Sequence, residues 1–339
     1  MSRWSAFTSA CRGLSSVFSS GTAGAAGVRA AERSRADPSN KKDMKIKAAL
    51  VAFCCAAAAF AQAADMPKAI SITYVKAPFN LQNIVMKERG MLEEAFKQEG
   101  VEIKWRVINS GAVQGQAMAS GDLDFSAVMN TASLLMAAGA GNPIAVATGV
   151  AHPKEIFAIV GRPGESLSVK DLKGKRVAGP KGTVLHQLLV AALLKEGMSI
   201  NDVEFINMDP GAAMTAVLSG KVDAGLLAAN LIIKAHEAGA KTIATCEGYV
   251  EPNLVMTVRK SFAQDYPEAF RKVVEVNRAA LEWIRTHQDE ALQIGAKAQG
   301  VSIDDAKKLY DWSNFYDTLT EADIKGLELD QKFLIDNGM

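Results

Sequence analysis

Two hydrophobic rhythms alternate between residues 66 and about 258. Short β-rich apolar runs, such as Ile70–Val75 and Val203–Ile206, read as buried strands. Helix-length segments lie between them and end in glycine, a C-cap signal. Gly121 and Gly220 each close a helix and turn the chain into the next strand, while Asn130 and Asn230 each follow a strand and suit a helix N-cap. Past Arg259 the pattern is helical. Pro267-Glu268 suits a helix start, and Phe270, Val273, Val274, Asn277, Leu281 and Ile284 fall on one mostly apolar face. Ser302 to Asp305 and Thr320 to Asp323 have the form of capping boxes for two more helices. These tail helices are expected to cover the first half of the molecule.

The pattern is written twice. Val107-Ile108-Asn109, Ser120-Gly121-Asp122-Leu123-Asp124, Asn130, Ala138-Gly139-Ala140 and Ile144-Ala145 recur, about 100 residues on, as Phe205-Ile206-Asn207, Ser219-Gly220-Lys221-Val222-Asp223, Asn230, Ala238-Gly239-Ala240 and Ile243-Ala244. Upstream, Lys87-Glu88-Arg89-Gly90-Met91 is echoed by Lys195-Glu196-Gly197-Met198. The repeated unit reads β-α-β-α-β-α-β, which predicts parallel pairing and two similar α/β lobes. The repeat ends near Gly149 and Gly248, so the chain crosses between lobes twice, forming a hinge. The predicted division is 66–153 plus 259–339 for the first lobe and 154–258 for the second.

The N-terminus adds a destination. Met44-Lys45-Ile46-Lys47 followed by the apolar run Ala48–Ala61 and the small residues Ala61-Gln62-Ala63 form an export signal, with cleavage expected before Ala64. The apolar run is too short for a membrane span. Cys54 and Cys55 leave a lipid anchor as the rival reading. Residues 1–43, rich in Ser, Ala, Gly and Arg, read either as an upstream start or as a transit peptide. Residues 1–63 hold nine of the 38 Lys/Arg and three of the 37 Asp/Glu, so the remainder carries a net charge of −5. That argues against a nucleic-acid partner. Cys246 is the one cysteine after residue 63, which leaves no internal disulfide for the mature chain.

In parallel α/β sheets ligands bind beyond the carboxyl ends of the strands, where helix starts present free N–H groups. Four such loops are predicted to line one cleft: Lys76-Ala77-Pro78-Phe79-Asn80, Met129-Asn130-Thr131-Ala132-Ser133, Gly179-Pro180-Lys181-Gly182-Thr183 and Ala228-Ala229-Asn230. The candidate ligand contacts are Phe79, Asn80, Asn130, Thr131, Gly182, Thr183 and Asn230. His152, near the hinge with Lys154, His186 and Asn253 complete the set. Asn130, Asn230 and Thr183 are equally suited to capping, and His186 to packing. Few charges and several small polar residues suit a small anion held by the helix starts at Thr131 and Thr183. No hydrolase, zincin or Cys-x-x-Cys signature is present, and the four histidines are scattered, so neither an enzyme nor a metal or cofactor site is expected.

The phrase Lys170-Asp171-Leu172-Lys173-Gly174-Lys175-Arg176-Val177 with Lys181-Gly182-Thr183, and the turns Ala119–Asp124 and Leu218–Ala224, carry a resemblance. From Met44 onward the chain resembles the solute-binding proteins of ABC importers for nitrate, sulfonates, taurine and thiamine-pyrimidine precursors. That resemblance implies a type II periplasmic-binding fold, a monomer that closes on its ligand, and delivery to an inner-membrane permease from the periplasm. It also implies ligand contact at Gly182-Thr183. Many sulfonate and taurine members carry a Trp-acid-Pro segment where this chain has Ala228-Ala229-Asn230, and the Cys-rich motif of the pyrimidine enzymes is missing. A binding protein feeding a sensor, and a pyrimidine-precursor enzyme or binder, stay open as alternatives.

Overall fold

The computed structural model describes residues 66–75, 79–153 and 155–339. The expected extension and export signal at 1–63, and the loop residues Lys76 and Lys154, lie outside the described residues. The first half runs β1 (Ala69–Tyr74), α1 (Leu81–Glu88), α2 (Met91–Ala95), β2 (Glu102–Val107), α3 (Gly111–Ser120), β3 (Phe125–Asn130), α4 (Thr131–Gly139) and β4 (Ile144–Ala151). The second runs β5 (Phe157–Gly161), β6 (Arg176–Gly179), α5 (Val184–Lys195), β7 (Glu204–Asn207), α6 (Pro210–Leu218), β8 (Ala224–Ala228), α7 (Asn230–Glu237) and β9 (Thr242–Thr245). The chain then returns through β10 (Leu254–Arg259) to a helical tail. That tail is α8 (Lys260–Asp265), α9 (Pro267–Thr286), α10 (Gln288–Gln299), α11 (Ile303–Ser313) and α12 (Glu321–Asp336).

The repeat appears as two five-stranded sheets, ordered β2-β1-β3-β10-β4 and β7-β6-β8-β5-β9. The expected parallel pairing holds for β1 with β2 and β3, and for β6 with β7 and β8. The sheets are nevertheless mixed. Each takes one antiparallel strand into its interior, β10 in the first and β5 in the second. Each of these is the strand that follows a crossing between halves. Residues 254–258, which the sequence pattern placed in the second lobe, are therefore a strand of the first sheet. The crossings run 152–156 and 246–253. β1 is buried as predicted, but β7 is an edge strand whose Phe205 and Ile206 are half-buried.

The repeated Asp of each Ser-Gly turn locks its inserted strand. Asp124 accepts the Ser71 N–H (2.9 Å) and hydroxyl (2.7 Å) on β1, and its other oxygen accepts from Arg259 at the end of β10 (2.6 Å). Asp223 accepts the Arg176 N–H on β6 (2.8 Å) and pairs with Arg162, the residue after β5 (3.0 Å). Gly121 (φ 87°) and Gly220 (φ 71°) sit in left-handed turns just before these aspartates, where a Cβ would be strained.

The tail covers the first half, as its apolar stripe predicts. Val273, Ala280, Leu281 and Ile284 on α9 are buried, and Phe262 meets Phe125 edge-on at 5.1 Å between ring centroids. Thr320 forms the predicted capping box with Asp323 at the start of α12. The chain before α12 also runs along the end of β4: Tyr316 N–H bonds Val150 O, and His152 N–H bonds Asn314 O. A Cβ on Gly149 would stand 2.3 Å from the Tyr316 ring. Gly149→Ala is therefore expected to displace that ring and cost about 1–3 kcal/mol, the range for overpacking, read as a lowered midpoint in urea unfolding. Among the described residues no helix is long and apolar enough to cross a membrane.

Candidate functional site

A cavity of about 610 Å³ opens between the halves at the carboxyl ends of the parallel strands. Three of the four loops named from the sequence reach it, through Asn130, Lys181 with Thr183, and Ala228, and Val75, the residue before the fourth, also lines it. Helix starts contribute to its wall. Asn130 caps α4, its side chain accepting from Ser133 N–H at 2.9 Å. Asp209 caps α6 by accepting from Gly211 and Ala212 N–H. By contrast, the N-caps of α3 (Ser110) and α5 (Thr183) contribute no side-chain cap bond. Thr183 donates its hydroxyl to Pro180 O (3.0 Å) instead. Two helix starts, one from each half, thus bring uncapped backbone N–H groups to the cavity wall. Their partial positive charge favours an anion.

Ten residues were singled out from the sequence. Of these, Asn130 and Thr183 line this cavity, and Gly182 lies on the seam beside it, its carbonyl accepting from the Ser133 hydroxyl of the first half at 3.1 Å. Phe79 is only 1% exposed and packs against α10, where a Cβ on Gly295 would meet its ring. Asn80 is buried behind it and donates to Val75 O. His186 is 6% exposed and stacks on Phe205 with centroids 4.8 Å apart. Burial, reinforced by the Lys181 charge, lowers its pKa to about 4. It is a packed neutral histidine. Asn230 is the first residue of α7, and the N-cap is Ala229, held at φ 50° and ψ −124°. A positive φ in a residue other than glycine costs about 1 kcal/mol or more and marks backbone held by its surroundings.

The remaining three lie elsewhere. Thr131, His152 and Asn253 line a second cavity of about 450 Å³ between the two crossings, α5 and α12. The expectation that the Thr131 hydroxyl serves the main cleft is corrected here, because that hydroxyl donates to Asp330 on α12 at 2.9 Å. Asp330 also accepts from Gln187 (2.7 Å), and burial raises its pKa. His152 stacks on Tyr316 and faces Asp323 at 3.1 Å.

The sequence reading missed the walls made by Asn109, Ser110 and Gln114, and by Asn207 and Asp209. The signal was present: Asn109 and Asn207 are matched landmarks of the repeat, Asn207 ending β7 and Asn109 lying between β2 and α3. The Asn207 side chain accepts from Lys181 N–H (2.9 Å), fixing the loop that leads into α5. Among the described residues no histidine or cysteine lines the first cavity. Cys246 is buried outside both, and burial raises its thiol pKa. Among the described residues no cluster suited to a metal ion occurs.

Two mixed five-stranded sheets, joined by two crossings with the cavity between them, are the architecture of the type II periplasmic binding proteins. The alkanesulfonate-binding protein of Xanthomonas axonopodis pv. citri, solved with MOPS bound, matches with a TM-score of 0.74 at 22% identity over 81% of this chain and 95% of that one. The NMT1/THI5-like family model matches residues 93–291, and the chain belongs to that family. The taurine-binding periplasmic protein of Escherichia coli (strain K12) is 33% identical over 188 residues, covering 52% of this chain and 55% of that protein. A Bacillus subtilis (strain 168) protein, named provisionally for binding aliphatic sulfonates, is 30% identical over 214 residues, 62% of this chain and 64% of its own length. The matched stretches thus span less than two thirds of these relatives.

Proposed function

We propose that this chain is the extracytoplasmic solute-binding protein of an ABC importer. It captures a small organic anion of the sulfonate class between its halves and passes it to a membrane permease. The observation that carries this reading is the pair of uncapped helix starts, α3 and α5, facing one cavity from opposite halves. A desolvated anion needs compensating donors, and these N–H groups supply them at fixed positions without burying a cation. Lys181, the one cation lining the cavity among the described residues, is exposed. The relatives named for taurine and aliphatic sulfonates agree with this ligand class, and the export signal expected from Met44 onward agrees with a periplasmic site of action.

The test is Val184→Pro. Proline is accepted at the first position of a helix, and Thr183 before it is already extended (φ −131°, ψ 171°), as a residue preceding proline prefers. The substitution therefore deletes one N–H from the α5 start while keeping the helix. Titration calorimetry with taurine, alkanesulfonates and nitrate should find a ligand for the wild type. Its affinity should fall about tenfold in Val184→Pro, the scale of one charge-assisted hydrogen bond. Equal affinity in both proteins, or binding of cations alone, would overturn the anion site.

A further inference from the structure

Two carboxylates on α12, Asp323 and Asp330, stand seven residues apart and so share one helix face. Asp323 accepts from Asn253 in the second crossing (3.0 Å) and faces His152 in the first (3.1 Å). Asp330 accepts from Thr131 at the start of α4, in the first half, and from Gln187 on α5, in the second. One face of one helix therefore touches both crossings and both halves. Asp323 is 6% exposed and Gln187 only 2%. The body of α12 packs on the first half: Leu327 and Leu334 join the core formed by Leu134, Leu135 and Val255. The tail also meets the second half where α11 touches α7, and Gln187 is where α12 grips that half beside the hinge.

We propose that α12 is a closure strap. Asp323 anchors it to the crossings, and Asp330 takes hold of Gln187 when the halves come together, so the strap sets how far the empty protein stays closed. Opening exchanges the Gln187–Asp330 bond for bonds to water. A hydrogen bond to a shielded carboxylate is the kind of contact that moves a two-state population by about tenfold. The device rests on the two-lobed hinge and not on which ligand fills the cleft, so it is tested without one.

The experiment is small-angle scattering of ligand-free wild type, Gln187→Leu, Gln187→Glu and Lys332→Ala, a change on the exposed part of the same helix. Wild type and Lys332→Ala should share one radius of gyration. Gln187→Leu should be larger, and Gln187→Glu, which sets carboxylate against carboxylate, larger still. Circular dichroism checks that the helices persist. Hydrogen exchange gives a second reading that does not depend on Gln187→Glu folding: amides at 182–187 and 250–253 should exchange about tenfold faster in Gln187→Leu. Scattering and exchange identical to wild type in Gln187→Leu would overturn the strap. Failure of every candidate anion to bind would overturn the ligand assignment and leave the strap standing.

Discussion

Asp124→Ala is expected to lower unfolding stability by about 3 kcal/mol, the lower end of the range for breaking a buried charge pair from one side. The carboxylate side chain is 10% exposed and that of Arg259 is 23%. Removing it leaves the guanidinium half-shielded without its partner and also strips the Ser71 N–H and hydroxyl of their acceptor. The pair pins the end of β10, so the whole first sheet should feel the loss. Guanidinium unfolding should show a lowered midpoint with an unchanged slope. Asp223→Ala should behave alike in the second half, where Arg162 and the Arg176 N–H lose the same kind of acceptor. A midpoint within experimental error of wild type for both would show that these aspartates do not lock the inserted strands.

The second large effect is expected in acid. His186 is folded with a pKa of about 4 against an ordinary 6.5, because its ring is buried against Phe205 and Lys181 adds a like charge. The folded protein therefore resists protonation at this ring while the unfolded chain accepts it. Stability should be level above pH 6.5, fall as pH drops from about 6.5 toward 4, and flatten in this contribution below 4. At 1.36 kcal/mol for each unit, the full loss is roughly 3 kcal/mol. His186→Leu keeps the apolar packing and removes the titration, so its stability should vary less over that window. Parallel curves for the two proteins from pH 7 to 4 would rule the histidine out as the source.

Much of this architecture is legible in the chain because the signals are local. The Ser-Gly turns, the Asn130 cap, the glycine helix ends and the Thr320–Asp323 box are set by residues a few positions apart and lie where their patterns place them, while Asn230 falls one residue inside its helix. The inserted strands are not legible in this way. Leu254–Arg259 and Phe157–Gly161 are apolar runs like any other, and their antiparallel direction is settled by partners more than 60 residues away. The one local hint was an arginine closing each run. The site divides along the same line. Loop positions could be read, but not side-chain directions, so Phe79 went to the core and Thr131 to α12. Asn109 and Asn207 were recognised as repeat marks and not as cavity walls. Repetition in sequence reported the backbone they share, and only the meeting of the halves shows what they enclose.

The insertion of β10 also fixes an order of assembly. Among the described residues β4 has β10 as its only neighbour in the first sheet. Until Arg259 has been synthesised, β3 and β4 have no ladder in common, and the sheet remains split down its interior. The second sheet draws all of its strands from one continuous stretch, residues 157–245. The half that begins first along the chain is thus the one whose sheet is completed last.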